Sequence, residues 1–163
     1  MKKRFEFNLQ YPKPLADDDL EQLISIAKSG LFSRYTTDVV IELEKELAQY
    51  YESEYAVTCT SGTAALHGCL VALDFAPGSE IITTSVADIG VVLPIIYENL
   101  IPVFSDIDLS TYNITAENVE KKITSKTKAI IAVHLAGNPC DLDSLVSLAK
   151  KHNILLIEDF SQA

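Results

Sequence analysis

Basic residues are scarce in this sequence of 163 residues. There are 13 lysines and arginines against 23 aspartates and glutamates, and the formal net charge is −10. Nucleic-acid binding needs a basic surface that neutralises phosphates, so this composition argues against a nucleic-acid partner. It argues against binding to an anionic membrane face for the same reason. The acidic balance mainly favours solubility and says little about chemistry.

Cysteines and long apolar runs are also few. The three cysteines, Cys59, Cys69 and Cys140, form no C-x-x-C pair and are odd in number. This favours a reduced, cytoplasmic protein over a disulfide framework. The most apolar run, residues 89–97, is too short to span a bilayer. Residues 1–8 start with basic side chains but have no apolar segment behind them, so a secretion signal is not expected.

Signatures of nucleotide and metal sites are missing. Neither a Walker A loop nor a G-x-G-x-x-G turn is present. His134 and Cys140 supply too few ligands for zinc. The segment 106–117 partly matches a calcium loop, but Thr111 stands where that loop needs glycine, so a solvated turn is expected. The Asn113-Ile-Thr motif matches an N-glycosylation acceptor, but glycosylation is not expected in a protein without a secretion signal. No metal site is predicted.

The apolar residues, 48% of the sequence, follow a repeating pattern. The pattern predicts two helices and then alternating strands and helices in residues 51–163. The first helix follows Ala16-Asp17-Asp18-Asp19, whose acids suit a helix N-terminus, and ends at Ser29-Gly30, and the second covers about residues 37–50. Strands are predicted at 55–58, 80–84, 101–104, 128–135 and 154–158, with helices at 63–73, 89–98, 116–123 and 142–151. Several strands are nearly continuous Ile, Val and Leu, as in strands covered on both faces. The fold predicted is α/β, with a parallel, doubly wound sheet, flanking helices, and all strands ending at one edge.

A turn of small residues follows the first predicted strand. Ser61, Gly62 and Thr63 open the next helix, where free backbone N–H groups attract anions. Gly62 would let a phosphate come close, and the hydroxyls of Ser61 and Thr63 could add hydrogen bonds. The same residues would also serve as a plain helix cap, and both interpretations are open at this point.

Asp159 ends the last predicted strand, at the edge where open α/β sheets bind ligands. It could also be a buried cap or a turn residue. An anion site near Gly62 and a carboxylate at Asp159 would together suit pyridoxal phosphate, which has a phosphate at one end and a ring nitrogen at the other. A carboxylate facing that nitrogen keeps it protonated and makes the ring an electron sink. Gln162 follows three residues later and could reach the ring hydroxyl.

Five segments carry a family resemblance. In order they are Ser-Gly-Thr-Ala-Ala-Leu at 61–66, Pro-Gly-Ser-Glu-Ile-Ile at 77–82, Pro-Val-Phe-Ser-Asp-Ile-Asp at 102–108, Lys-Thr-Lys-Ala-Ile-Ile at 126–131 and Ile-Glu-Asp-Phe-Ser-Gln-Ala at 157–163. Together they resemble the DegT–DnrJ–StrS aminotransferases, the sugar-aminotransferase branch of the fold-type I pyridoxal phosphate enzymes. The resemblance covers the chain from about residue 12 onward. It implies transfer of an amino group from a donor such as glutamate to a keto-sugar, possibly nucleotide-linked, or to a cyclitol, by a homodimer.

The resemblance also implies residue roles. Gly62 and Thr63 would contact the cofactor phosphate, Asp159 the pyridinium nitrogen and Gln162 the hydroxyl side of the ring. By the same resemblance, residues 1–163 form the amino-terminal part of the cofactor-binding large domain. Residues 1–50 would be its helical start and residues 51–163 its βα units.

Two positions depart from the family. Many members have an aromatic residue at the position of Asp88, where it stacks on the cofactor ring. A carboxylate cannot stack, so Asp88 either contacts the cofactor or a substrate amine, or caps the helix that begins near Ile89. The Schiff-base lysine of the family lies beyond Asp159, whereas every lysine here, from Lys2 to Lys151, precedes it. We therefore expect no catalytic lysine and no small carboxyl-terminal domain, and predict that these residues alone are a truncated, inactive first half with an exposed apolar sheet edge.

Other polar residues have simpler interpretations. His134 ends a predicted strand and could act as an acid or base, but a structural histidine is favoured because no orienting carboxylate is identifiable. A small basic cluster is most simply a solvated helix end; its members are Lys121, Lys122, Lys126 and Lys128. Two alternatives to the aminotransferase stay open. One is a non-catalytic binding or regulatory module that pairs with a partner chain, and the other is a small Rossmann-like enzyme, which the missing glycine fingerprint disfavours.

Overall fold

The structure, a computed structural model, describes residues 15–163. The amino-terminal residues in which no secretion signal is expected lie outside the described residues. The described chain divides into two compact units, with the boundary between Thr58 and Cys59.

The first unit contains the two predicted helices, α1 (Asp17–Ser29) and α2 (Val39–Tyr50). Three aspartates occupy the first turn of α1, where the positive end of the helix dipole favours negative charge. Gly30 ends α1 with φ 68°, a left-handed conformation that glycine adopts at little cost.

The strand predicted at residues 55–58 does not form. Glu44 of α2 is buried, and one of its carboxylate oxygens accepts the backbone N–H of Thr58 at 2.9 Å and the Thr58 hydroxyl at 3.0 Å. The same oxygen accepts the guanidinium of Arg34 at 2.5 Å. Because the Thr58 N–H is used by α2, it is not available to a neighbouring strand. The β-branched composition of this segment was therefore misleading, as strand propensity often is outside its tertiary context.

The second unit is a four-stranded parallel sheet with helices on both faces. Its elements are α3 (Gly62–Leu73), β1 (Glu80–Thr84), α4 (Val92–Tyr97), β2 (Ile101–Ser105), α5 (Ala116–Glu120), β3 (Thr127–Val133), α6 (Leu142–His152) and β4 (Leu155–Asp159). The strand order is β2-β1-β3-β4, and every pair is parallel. The predicted parallel α/β fold is confirmed, with four strands where the sequence predicted five.

Side chains of the central strands alternate between two apolar layers, as the period of a strand requires. One layer joins the sheet to α3 and α4 and includes Leu66, Leu70, Ile81, Ile95, Ala129 and Ile131. The other joins it to α5 and α6 and includes Ile82, Val119, Ile130, Ala132, Leu145 and Leu148. Because neighbouring residues such as Ile81 and Ile82 enter different layers, both faces of β1 are covered. The predicted double winding is thus present.

Two predicted helices are shorter than expected. Residues 89–98 divide into a 3₁₀ turn (Ile89–Val91) and α4, and Pro94 falls in the first turn of α4, where its missing N–H is not needed. The helix predicted at 116–123 ends at Glu120, because the following residues form tighter hydrogen bonds to carbonyls three positions back.

Candidate active site

One cavity at the carboxyl edge of the sheet, with a volume of about 210 Å³, contains most of the predicted site residues. Its walls are formed by Gly62, Thr63, Leu66, Asp88, Gly90, Val91, Val133, Asp159, Ser161 and Gln162. Ser61, the remaining predicted residue, precedes Gly62 in the sequence but is not among the residues that line the cavity. The walls include two carboxylates and no lysine, arginine or histidine from the described part of the chain.

Ser61 caps α3. Its Oγ accepts the backbone N–H of Ala64 at 3.1 Å, and its carbonyl accepts the N–H of Ala65 at 2.9 Å. The backbone N–H groups of Gly62 and Thr63 have no acceptor within residues 15–163. They are the first donors of a helix of 12 residues, at the positive end of its dipole. The cap interpretation of Ser61 is confirmed, and two N–H groups are left for an anion.

Asp159 ends β4 and is only 9% exposed. Its Oδ1 accepts the Ser161 hydroxyl at 2.5 Å and the Ser161 backbone N–H at 3.1 Å. A Cβ atom on Gly62 would stand 2.8 Å from the Ser161 Oγ. One serine side chain therefore separates the start of α3 from the carboxylate, and glycine at position 62 leaves room for it. Oδ2 of Asp159 accepts no hydrogen bond from the described residues.

Asp88 lies just before the 3₁₀ turn, and its Oδ1 accepts the N–H of Gly90 at 2.7 Å. A Cβ atom on Gly90 would stand 2.5 Å from Thr63 Oγ1 and 3.0 Å from that carboxylate oxygen. The cap interpretation of Asp88 is thus confirmed. Its carboxylate also lines the cavity, and a contact with a ligand stays a prediction.

Gln162 is tied to the loop that follows β3. Its Oε1 accepts the backbone N–H of Ala136 at 2.7 Å. Ala136 has φ 53° and ψ 29°, a left-handed conformation that costs a non-glycine residue about 1–2 kcal/mol. Gly137 follows at φ 78°, and a Cβ atom there would stand 3.1 Å from the backbone oxygen of Gln162. Because a backbone N–H only donates, the amide oxygen of Gln162 must face Ala136, and the amide nitrogen is left for a ligand.

His134 has both ring nitrogens engaged. Nδ1 accepts the backbone N–H of Cys140 at 3.1 Å, and Nε2 lies 3.3 Å from a carboxylate oxygen of Glu158. The imidazole therefore carries its proton on Nε2. Burial, together with the nearby Glu158 charge, raises the pKa of the Cys140 thiol. Glu158 is an orienting carboxylate that the sequence did not reveal, so the reason given for a structural histidine was wrong. The structural interpretation is supported instead by the engagement of both ring nitrogens.

Sequence reasoning missed Ser161 and the apolar walls Leu66, Val91 and Val133. The Asp-x-Ser spacing at 159–161 was a usable signal for Ser161, because short polar side chains often bond across two residues in turns. The apolar walls had no signal of their own, since core and cavity residues look alike in sequence. In the described part of the chain, no group of three or more potential metal ligands occurs, and no helix is long and apolar enough to cross a membrane.

Comparisons with known proteins point to one family. The model of the DegT/DnrJ/EryC1/StrS aminotransferase family matches residues 14–163. GDP-perosamine synthase from Caulobacter vibrioides is 41% identical over 124 residues, which are 76% of this chain and 33% of that protein. A solved aminotransferase from Psychrobacter cryohalolentis is 37% identical with a TM-score of 0.87, covering 92% of this chain and 38% of that one. NtdA from Bacillus subtilis, solved with bound cofactor PMP, is 27% identical with a TM-score of 0.80, covering 88% of this chain and 34% of that one.

The chain thus spans about a third of the length of the relatives it matches. The matches confirm the predicted family, and they confirm pyridoxal phosphate as the cofactor used by its aminotransferases. Because the family model matches all but the first 13 residues, the chain belongs to the DegT/DnrJ/EryC1/StrS aminotransferase family.

Proposed function

We propose that residues 1–163 supply the amino-terminal part of the cofactor-binding domain of a pyridoxal-phosphate-dependent sugar aminotransferase. One observation carries the proposal: the start of α3 and the carboxylate of Asp159 line one cavity and are separated by the Ser161 side chain. An anion-binding helix start and a buried carboxylate are the two groups that the ends of this cofactor require. Membership of the aminotransferase family supports the same chemistry.

The residues around the cavity fit the cofactor. The N–H groups of Gly62 and Thr63 would hold the phosphate, with the Thr63 hydroxyl beside them. Asp159 would hold the proton on the ring nitrogen, and the amide nitrogen of Gln162 would donate to the ring hydroxyl oxygen. When bound, pyridoxal phosphate supplies an electron sink for the carbon that carries the amino group. Among the described residues, the phosphate would be held by these neutral donors and by the dipole of α3.

Ser161 would orient the catalytic carboxylate. It donates twice to Oδ1 of Asp159, which leaves Oδ2 as the oxygen that can face a ring N–H. Burial of Asp159 strengthens its attraction to a protonated ring nitrogen, since charges interact more strongly at low dielectric. Asp88 lines another part of the same cavity, from which its carboxylate would contact the cofactor or the amine of a substrate.

The proposed reaction moves an amino group from an amino acid such as glutamate to a keto-sugar, possibly nucleotide-linked, or to a cyclitol. The identity of 41% with a GDP-perosamine synthase supports a nucleotide-linked sugar. We also propose a homodimer and a cytoplasmic location. The location is supported by the odd number of cysteines, which favours reduced thiols over disulfides.

Titration with pyridoxal phosphate, followed by absorbance, tests the cofactor site. Asp159→Asn should weaken binding by about 10- to 100-fold, because it removes a charge-assisted hydrogen bond. Asp74→Asn is the matched control, since Asp74 ends α3 outside the cavity and asparagine suits its left-handed conformation. Equal affinities for the two variants would contradict the proposed role of Asp159.

Residues 1–163 should not catalyse transamination alone, because they contain no lysine beyond Lys151 that could attach the cofactor at the family's position. The assay combines the purified 163-residue chain with pyridoxal phosphate, glutamate and a nucleotide-linked keto-sugar. Formation of the amino sugar at a rate above that of cofactor without protein would overturn this expectation.

A second candidate is a non-catalytic binding or regulatory module that pairs with a partner chain. It is favoured by the outer edge of β4, which pairs with no other strand among the described residues and carries the half-exposed Leu155. Such a module should be folded and monodisperse, alone or with its partner, and should not bind pyridoxal phosphate.

A further inference from the structure

Asn113 lies between β2 and α5 and is only 3% exposed. Its side chain reaches the loop after β3, where Oδ1 accepts the N–H of Leu135 at 3.3 Å and Nδ2 donates to the carbonyl of Asn138 at 2.7 Å. Asn138 donates in return from its own Nδ2 to the carbonyl of Thr111 at 3.1 Å. One buried amide therefore holds the loop at both ends.

The two bonds of Asn113 fall on either side of Ala136. Ala136 is the left-handed residue whose N–H donates to Gln162, and a non-glycine residue keeps such a conformation only where its surroundings enforce it. Asn113 also accepts a hydrogen bond from the N–H of Leu135. The sequence predicts Leu135 at the end of a strand over residues 128–135. The strand instead ends at Val133, and the loop turns so that Ala136 meets Gln162.

We propose that Asn113 is a positioning residue. Acting through Ala136, it holds the Gln162 side chain so that the amide nitrogen is available to a ligand in the cavity. The inference rests on the proposed function, in which that ligand is pyridoxal phosphate. An N–H of the Gln162 amide that donates to the ring hydroxyl oxygen would stabilise the deprotonated form of that hydroxyl. Because Gln162 is exposed, a side chain ordered before binding loses less conformational freedom when the ligand arrives.

The test compares variants of the intact protein by two measurements, hydrogen exchange of the Ala136 amide relative to the amides of β3, and absorbance of bound pyridoxal phosphate against pH. Asn113→Ala should speed Ala136 exchange and weaken cofactor binding, each by about tenfold. It should also raise the pH midpoint of the absorbance change, because the Gln162 amide N–H is no longer held at the ring hydroxyl oxygen of the cofactor. Gln162→Glu should raise the midpoint as well, since an acceptor replaces a donor.

A core variant separates positioning from stability. Val119→Ala removes volume from the layer that joins the sheet to α5 and α6 and leaves every polar contact of the loop in place, so it should destabilise the protein and leave the pH midpoint unchanged.

The inference is overturned if Asn113→Ala behaves like Val119→Ala in both measurements while the unsubstituted protein binds the cofactor. Failure of the unsubstituted protein to bind pyridoxal phosphate would overturn the proposed function, and this inference with it. Faster Ala136 exchange together with a raised midpoint supports the positioning role.

Discussion

Gly62 and Gly68 lie in the same helix, but a side chain would meet different surroundings at each. A Cβ atom at position 62 would stand 2.8 Å from the Ser161 Oγ, whereas one at position 68 would meet nothing within 4 Å. Gly62→Ala should therefore displace Ser161 from Asp159 and weaken pyridoxal phosphate binding by about tenfold or more. Gly68→Ala should leave binding unchanged and raise the free energy of unfolding by about 0.5–1 kcal/mol. Denaturant titration and cofactor titration of both variants check this pair, and equal effects on binding would contradict it.

Two substitutions of Ser61 separate its role as a helix cap from anion binding at the start of α3. Ser61→Ala removes the acceptor for the Ala64 N–H and should lower the free energy of unfolding by about 1 kcal/mol. Ser61→Asp keeps a good cap but places a carboxylate beside the two free N–H groups. It should preserve stability and weaken binding of pyridoxal phosphate through charge repulsion. Unchanged cofactor affinity in Ser61→Asp would place the phosphate elsewhere.

At the scale of elements, Glu44 connects α2 to the segment that was predicted as a strand. The Thr58 backbone N–H, followed by the Thr58 hydroxyl and Arg34, lowers the pKa of Glu44 below its usual 4.5. A carboxyl group whose pKa is lower in the folded state stabilises the fold above its unfolded pKa, and this contribution is lost as the pH falls through the folded value. Glu44→Gln should thus be less stable than the unsubstituted protein at pH 7, and the difference should shrink at pH 3. Urea unfolding at both pH values measures it, and a constant difference would argue against the ionised contact.

At the scale of the whole molecule, the sheet formed within residues 15–163 has two edge strands, β2 and β4. The chain spans about a third of the length of its relatives. Unpaired edges with apolar side chains promote association between molecules. The 163-residue polypeptide by itself should therefore self-associate, and Leu155→Lys on β4 should reduce the associated mass. Leu109→Lys makes the same change at an exposed position outside the sheet and should have a smaller effect. Size-exclusion chromatography with light scattering distinguishes the two, and a folded monomer at all concentrations would favour the partner-binding module.

The sequence by itself determined the alternation of strands and helices, the parallel sheet, the helix start at residues 61–63 and the family. These depend on local periodicity and on short motifs, which a single chain displays directly. Only the tertiary structure decided that Thr58 bonds to Glu44 instead of joining a strand. It also placed Ser161 between Gly62 and Asp159, and it directed Asn113 to the loop beside Gln162. The contacts of Glu44, of Asn113 and of Ser161 with the start of α3 join residues that are far apart in the sequence. The buried side chains of Glu44, Asn113 and Asp159 need hydrogen-bond partners once the chain has folded, and this need leaves no periodic trace in the sequence.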